Sequence, residues 1–251
     1  MLAPKREKKV NRTILAITDF TKSSTNAVLF AANLFKYTNL KIILLNVFET
    51  PNEKEPLLIS VEDILTKDSE SGLKKQSSDI ALKLKEQGVS ISTFSISGKL
   101  KKALTQVMET ESIDLILSGI STDIYPSKYF SNTPILFIGQ SKYPVLLVPE
   151  KASDKELKSL ITVNFDASKH EIPRDREFEH MVNHDHIVKH VLSVNEKKID
   201  KKIISSLQTM LSKEKAELVI LIPAPGDKID KALLDYRLQE LCPTIASLLN
   251  C

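Results

Sequence analysis

The chain has 251 residues, of which 42% are hydrophobic and 27% are charged, and its formal net charge is +3. This balance is typical of a soluble globular protein, and the charge is too small to predict binding to nucleic acid. No apolar run is long enough to span a membrane, and the two cysteines lack a metal-type spacing. We therefore expect a cytoplasmic protein with reduced thiols and with neither a membrane nor a nucleic-acid partner.

Strands and helices alternate from the first hydrophobic stretch onward. Residues 1–11 form a basic tail, and residues 12–20 (RTILAITDF) predict a buried strand. The polar residues at 21–24 are of the types that cap helices, and the apolar spacing over 27–35 predicts a helix. Residues 40–48 (LKIILLNVF) form a continuous apolar run, which predicts a second strand buried on both faces.

After a polar loop at 49–56, the pattern over 60–87 predicts a long helix, with Gly88 as its C-cap. The apolar positions of that helix are Val61, Ile64, Leu65, Leu73, Ile80, Leu82 and Leu84. Partial alternation over 89–97 predicts a strand near a sheet edge, and residues 99–111 predict another helix.

Continuous apolar runs at 113–120 and 143–149 predict two further buried strands. The alternation of elements over residues 12–150 therefore predicts a doubly wound parallel α/β sheet of five strands in the order 3-2-1-4-5. In such a sheet a ligand would bind at the carboxyl ends of the first and fourth strands.

The remainder, residues 151–251, predicts a smaller α/β unit after a charged junction at 151–160. Its first strand, at 160–166 (LITVNFD), is similar to residues 14–19 (ILAITD), which indicates an internal repeat. Further strands are predicted at 187–194 and 218–223, a helix at 199–215 and a mostly helical tail at 229–249. This unit is shorter than the first by about a strand and a helix, and it shows no obvious closing strand.

The order and spacing of the pieces over residues 12–150 resemble the universal stress protein family. The resemblance rests on ILAITDFTKSSTNAVLFAANLF, KIILLNVFE, the turn and helix at Gly98, DLILSG and PVLLVP. It implies an adenine nucleotide α-hydrolase-like fold over 12–150. It also implies a tandem chain whose second copy, at 151–251, is truncated and divergent.

Many members of that family bind ATP, and the resemblance carries their contacts to single residues. Asp19 would face the adenine and ribose, the backbone of Val47 would meet the adenine, and Gly119 would be the first glycine of the phosphate motif. The closing pair of the motif falls on Ser131 and Asn132 or, counted forward from Gly119, on Asn132 and Thr133. For Asp19, capping of the following helix is an equally good interpretation.

The phosphate motif departs from the family pattern. Thr122 occupies the second glycine position, and neither register supplies the third glycine. Phe130 adds a bulky ring, and Pro126 and Pro134 remove backbone donors from a loop that must approach phosphates closely. Because of these departures, we expect that the first unit does not bind ATP.

Catalysis is also not indicated. No histidine occurs in the first 169 residues, and no GxSxG elbow is present. We therefore predict a non-catalytic binding or regulatory protein with no required cofactor. An ATP-binding switch with slow hydrolysis is the alternative.

All five histidines fall between residues 170 and 190. His180, His184 and His186 are weak candidates for zinc or nickel ligands, since imidazole suits both metals. The segment is not an HExxH motif, and we prefer to interpret it as polar surface. A metal-binding module over His180–His190 is the second alternative.

The last predicted strand of the first unit is a candidate interface. In the universal stress protein family this strand often pairs across a dimer, so Tyr143, Val145 and Leu147 would form the edge. The resemblance thus implies either a homodimer or pairing of the two halves within one chain. An unidentified protein partner would dock on this edge in the regulatory interpretation.

Overall fold

The computed structural model describes residues 11–36, 38–50, 61–120, 144–150, 152, 159–164, 188–193, 209, 213, 218–222 and 245–247. The strands are β1 (Asn11–Ile17), β2 (Asn39–Phe48), β3 (Ser90–Ser97), β4 (Leu115–Ile120), β5 (Val145–Pro149), β6 (Ser159–Asn164), β7 (Val188–Ser193), β8 (Leu218–Ile222) and β9 (Ile245–Ser247). The helices described in full are α1 (Lys22–Leu34), α2 (Val61–Lys83) and α3 (Leu100–Thr110), and a 3₁₀ turn at Lys85–Gln87 follows α2. Gly88 ends that turn with a φ of 66°, which confirms its predicted C-cap role.

The first five strands form a parallel sheet in the order β3-β2-β1-β4-β5, which confirms the predicted fold. The apolar runs of β1, β2, β4 and β5 are buried on both faces, because helices cover a parallel sheet on each side. The strand β3 is only half-buried and lies at one end of the sheet, as its partial alternation predicts.

Polar contacts at the amino ends of the strands fix the alignment of β1 with β4. One carboxylate oxygen of Asp114 accepts a hydrogen bond from the Thr13 backbone N–H at 2.7 Å. Its other oxygen lies 3.4 Å from the guanidinium of Arg12. Because a parallel sheet offers no tight turn to set the register, such a contact between neighbouring strands helps to define it.

The buried face of the long helix α2 differs from its apolar pattern. Ile64 and Leu82, which are two of the apolar positions in the predicted helical pattern, are 45% and 75% exposed. The buried stripe of the helix consists of Ser69, Leu73, Gln76 and Ile80. The apolar pattern does not mark the buried face, because two of the positions that α2 buries are polar and hydrogen-bond to other elements.

The sheet continues beyond β5 in the order β9-β8-β6-β7. β9 pairs antiparallel with β5, matching Leu146 with Ala246, and parallel with β8. The predicted helical tail at 229–249 is therefore wrong at 245–247, and a closing strand that the sequence did not reveal exists there. A strand of three residues is too short for its period to be recognised. The tandem interpretation of residues 151–251 stays a prediction.

Candidate functional site

The candidate site lies at the carboxyl ends of β1, β2 and β4. β1 is hydrogen-bonded to β2 on one side and to β4 on the other. The chain leaves β1 toward β2 and leaves β4 toward β5, so the direction of the strand order reverses here. This reversal opens a crevice in which doubly wound sheets bind ligands.

Asp19 shapes the loop that joins β1 to α1. Its Oδ1 accepts hydrogen bonds from the backbone N–H of Thr21 at 3.1 Å and from the Thr21 hydroxyl at 2.6 Å. Thr21 is the N-cap of α1, and its Oγ1 accepts a hydrogen bond from the Ser24 N–H at 3.3 Å. Asp19 therefore supports the helix cap, while its Oδ2 has no hydrogen bond to the described residues.

Phe20 has an unusual conformation beside this carboxylate. Its φ is 64°, and it is the only non-glycine with a positive φ among the described residues. The Phe20 N–H donates a hydrogen bond to Thr18 Oγ1 at 3.1 Å, and the residue remains 40% exposed. The ring lies on Gly72 of α2, where an added Cβ would be only 2.8 Å from Phe20 Cε2 and Cζ.

A buried polar group links β1, α1 and α2 beneath this loop. Thr18, which is 1% exposed, places its hydroxyl 2.7 Å from Gln76 Oε1 and 3.0 Å from Ser24 Oγ. The Gln76 amide donates to Thr25 Oγ1 at 2.9 Å. Because Gln76 is itself buried, these bonds satisfy groups that would otherwise be costly to remove from water.

A second polar chain crosses from β1 to β3. The Asn46 amide donates to the backbone carbonyl of Thr18 at 2.8 Å, and its Oδ1 accepts from the Ser69 hydroxyl at 2.8 Å. The Ser95 hydroxyl lies 2.7 Å from Ser69 Oγ. These contacts hold α2 against the carboxyl ends of the strands through hydrogen bonds rather than through apolar packing alone.

The two other sequence-predicted residues on this edge, Val47 and Gly119, both have structural roles in the fold. Val47 is 7% exposed and pairs with Ile96 of β3, so its side chain belongs to the core. Gly119 faces α1 so closely that an added Cβ would lie 2.5 Å from the backbone oxygen of Ser23. A glycine is thus required at 119 for α1 to pack on β4. The Ser23 hydroxyl beside it is buried and has no hydrogen-bond partner among the described residues.

The structure brings Asp19, Val47 and Gly119 to the same edge of the sheet. The remaining candidates Ser131, Asn132, Tyr143, His180, His184 and His186 lie outside the described residues. Val145 and Leu147 are buried in β5, and the edge that they form is paired with β9.

Sequence reasoning missed the residues that hold the edge together. Thr18 and Asn46 are polar residues at or near the ends of apolar strands, and this position in the sequence could have indicated their role. Gln76 and Ser69 gave no signal, because a polar residue on an amphipathic helix is normally exposed.

Asn26 was also missed, and it ties α1 to the segment that follows β5. Its side-chain amide donates to the carbonyls of Glu150 at 3.1 Å and Ala152 at 3.2 Å, and it lies 3.5 Å from that of Pro149. Ala152 is buried, and its N–H donates back to the Pro149 carbonyl at 2.9 Å. The helix that begins at the candidate site therefore also anchors the exit from β5.

Comparison with known proteins now identifies the family. The family model described as the universal stress protein family matches residues 11–149. The chain belongs to the universal stress protein family. No curated protein matches the chain significantly.

Two solved structures show the same fold at low sequence identity, and a third has a lower similarity. A universal stress protein from Archaeoglobus fulgidus DSM 4304 aligns over 95% of this chain and 98% of that one, with 11% identity and a TM-score of 0.64. A functionally unknown protein from Pseudomonas aeruginosa PAO1 aligns over 94% and 92%, with 10% identity and a TM-score of 0.52. A universal stress protein family protein from Arabidopsis thaliana, solved with AMP bound, aligns over 55% and 91%, with 16% identity and a TM-score of 0.38.

None of the helices in the part of the chain that the structure describes is both long and apolar enough to cross a bilayer.

Proposed function

We propose that this universal stress protein is a non-catalytic binding and regulatory protein with a degenerate phosphate loop. One observation carries the proposal: Gly119, the glycine that matches the start of the phosphate motif, is already required by the contact of Ser23 with β4. Its presence is therefore no argument for phosphate binding. Thr122 occupies the next glycine position of the motif, so the pattern that would favour a triphosphate is incomplete.

The chemistry at the carboxyl ends of β1, β2 and β4 supports a role without catalysis. Its buried polar side chains Thr18, Asn46 and Gln76 are neutral and hydrogen-bonded to one another or to the backbone. The buried Ser23 hydroxyl has no hydrogen-bond partner among the described residues, so none of these residues activates it as a nucleophile. Asp19 is the carboxylate of this loop, and Thr21 holds one of its oxygens.

The pairing of β5 with β9 supports pairing of the two halves of one chain rather than a homodimer through β5. β9 occupies the outer edge of β5 over Val145–Leu147. A second copy of β5 cannot use the same backbone groups while β9 is paired. We infer that a protein partner of this chain docks on a different surface.

An ATP-binding switch is the second candidate function. It is favoured by the position of Asp19, Val47 and Gly119 on one edge and by the Asp19 Oδ2 atom, which has no hydrogen bond to the described residues. A carboxylate oxygen in this position suits the hydroxyl groups of a ribose.

Release of nucleotide on denaturation of freshly purified full-length protein, followed by calorimetric titration of ATP with and without Mg²⁺, tests both candidates. We expect no released nucleotide and no saturation at millimolar ATP. Released nucleotide, together with ATP binding that Asp19→Asn removes and the exposed control Asp68→Asn preserves, would replace the first candidate with the second.

Light scattering coupled to size exclusion tests the pairing. We expect the mass of one chain, 28.1 kDa. A stable dimer that persists at micromolar concentration and dissociates on a charge substitution within β5 would contradict internal pairing.

A further inference from the structure

The outer face of α3 concentrates positive charge beside a cavity. The apolar side of the helix is turned into the protein, where Leu100, Ala103, Leu104 and Val107 are buried. The opposite side is exposed and borders an open cavity of about 620 Å³. The described residues that line this cavity are Lys99, Lys101, Lys102, Thr105, Gln106 and Glu109. Together these six residues form the α3 face.

The lysines of the α3 face lie at the end of the helix that is least favourable for them. Backbone dipoles make the N-terminus of a helix positive, so acidic residues are favoured in the first turn. The helix α2 follows this rule, with Glu62 and Asp63 in its first turn. The first turn of α3 has no acidic residue and contains Lys101 and Lys102, and the N-cap Lys99 makes no side-chain capping hydrogen bond. The stability of α3 therefore does not explain the lysines.

The positive charge of the α3 face exceeds the negative charge beside it. Neither Lys99 nor Lys102 forms an ion pair with a described residue. By contrast, Lys41 at the amino end of β2 is paired with Glu111 at 2.7 Å. Glu109 is the one carboxylate among the described lining residues, so three positive charges face a single negative one. Such a surface attracts a ligand that carries several negative charges.

We propose that the α3 face is the docking surface for an acidic, carboxylate-rich segment of a protein partner. The charges of Lys99, Lys101 and Lys102 complement such a segment, and a carboxylate near the start of α3 also interacts favourably with the helix dipole. Thr105 and Gln106 supply neutral hydrogen-bonding groups for the backbone of an extended peptide. This inference rests on the proposed regulatory function and adds the surface and the chemistry of the partner.

The composition of the α3 face favours a peptide over a nucleic acid or a lipid surface. The described lining residues include neither an arginine nor an aromatic side chain, which nucleic-acid surfaces use to hold phosphates and to stack on bases. They also include no large apolar side chain that could enter a bilayer. The three lysines span about one helical turn, which suits a few carboxylates of a short segment.

Fluorescence anisotropy with the full chain and fluorescein-labelled hexaglutamate tests the proposal, with hexaglutamine as the uncharged control peptide. We expect saturable binding of hexaglutamate that weakens as salt is added, because salt screens exposed charges. Lys99→Gln/Lys102→Gln should weaken binding by about 3- to 10-fold, since each exposed ion pair contributes modestly. Lys74→Gln/Lys75→Gln removes the same charge from the exposed surface of α2 and should leave the affinity unchanged.

Two further readouts separate charge from folding. Glu109→Gln should strengthen hexaglutamate binding by about 2-fold, because it removes the negative charge that borders the lysines. The thermal midpoint of Lys99→Gln/Lys102→Gln should not fall, since this variant removes cations from the N-terminus of α3. Weaker peptide binding by a variant with an unaltered midpoint is then an effect on the surface itself.

Several results would overturn the proposal. These are the absence of saturable hexaglutamate binding, and equal weakening by the α2 and α3 double variants. Tighter binding of an oligothymidylate or of phosphatidylserine vesicles that depends on Lys99 and Lys102 would assign the surface to a nucleic acid or a membrane. A dimer that Lys99→Gln/Lys102→Gln dissociates would assign it to a second copy of the chain.

The failure of this inference differs from the failure of the proposed function. ATP binding that Asp19→Asn removes and Lys99→Gln/Lys102→Gln preserves would contradict the proposed function and leave the α3 face unaffected. Absence of both ATP binding and hexaglutamate binding would contradict the docking surface alone.

Discussion

The two sides of β1 are held in place by different kinds of contact. On the β4 side, the backbone carbon and oxygen of Ser23 lie 2.6 Å and 2.5 Å from the position that a Cβ on Gly119 would take. On the β2 side, α2 reaches the strand through side chains, with Gln76 2.7 Å from the hydroxyl of Thr18. The first contact depends on the absence of a side chain, whereas the second depends on the presence of a polar one.

This difference predicts different responses to substitution. A contact between two backbones in a close-packed interior relaxes poorly, because both partners belong to regular elements. A hydrogen-bonded side chain can change its rotamer or be replaced by water at lower cost. The following substitutions test the comparison, beginning with the largest expected effect.

Gly119→Ala should destabilise the fold by about 3 kcal/mol or more, because the new methyl group would overlap the Ser23 backbone. Urea denaturation followed by circular dichroism measures the loss. The control is Gly88→Ala, which introduces a side chain at a φ of 66° but meets no atom within 4 Å. It should cost about 1–2 kcal/mol from backbone strain alone. Equal losses for the two variants would show that the contact with α1 is not the reason for Gly119.

Gln76→Leu should cost about 1–3 kcal/mol, since it removes a hydrogen-bond partner of the buried Thr18 hydroxyl and of the half-buried Thr25 hydroxyl. The same urea midpoint measures the effect. Lys75→Leu introduces the same side chain one position earlier, where the helix surface is exposed, and should change stability by less than about 0.5 kcal/mol. A Gln76→Leu variant as stable as the wild type would mean that the polar group can be replaced by apolar packing.

Asn26→Ala should cost about 1 kcal/mol, because the amide bonds the carbonyls of Glu150 and Ala152 after β5. Limited proteolysis should also cleave the chain between residues 150 and 160 faster than in the wild type. Asn39→Ala, which removes an exposed amide contact with Asn11, is the control and should leave cleavage there unchanged. Identical cleavage rates in both variants would show that Asn26 does not protect the segment between residues 150 and 160.

Gly72→Ala should change stability least, because two effects oppose each other. Alanine favours a helix over glycine by about 1 kcal/mol, but its methyl group would meet the Phe20 ring at 2.8 Å. In a Phe20→Ala background the ring is absent, so Gly72→Ala should stabilise the protein by the full difference in helix propensity between alanine and glycine. A double-mutant cycle on urea midpoints should therefore give a coupling of at least about 0.5 kcal/mol. A coupling of zero would show that the ring moves freely away from α2.

Much of the first unit could be predicted from the sequence because four of its five strands, β1, β2, β4 and β5, are continuous apolar runs, and segments with helical spacing lie between strands. The predicted order 3-2-1-4-5 is confirmed, and so is the half-buried edge strand β3. The apolar positions of α2 did not reveal its buried face, since Gln76 and Ser69 are buried while Leu82 is exposed. Hydrogen bonds between distant residues decide that face, and their spacing along the sequence has no period.

The candidate site, too, could be predicted from the sequence only in part. The family resemblance implied that Asp19 and Gly119 belong to a site at the carboxyl edge of the sheet, and the structure places both residues at that edge. The structural role of Gly119 could not be predicted, since its contact with Ser23 joins residues nearly a hundred positions apart. The ring of Phe20 on Gly72 is likewise a contact between segments that the sequence does not relate.

By itself, the sequence determined which segments are strands and helices in the described part of residues 12–150, and hence the doubly wound sheet. Local patterns suffice for this, because burial on two faces and burial on one face leave different apolar periods. Only the tertiary structure decided that β9 lies between β5 and β8 in the sheet and that polar side chains of α2 hold the carboxyl ends of the strands. These features depend on which distant groups meet in space, and a buried polar side chain is stable only where that meeting supplies its hydrogen-bond partner.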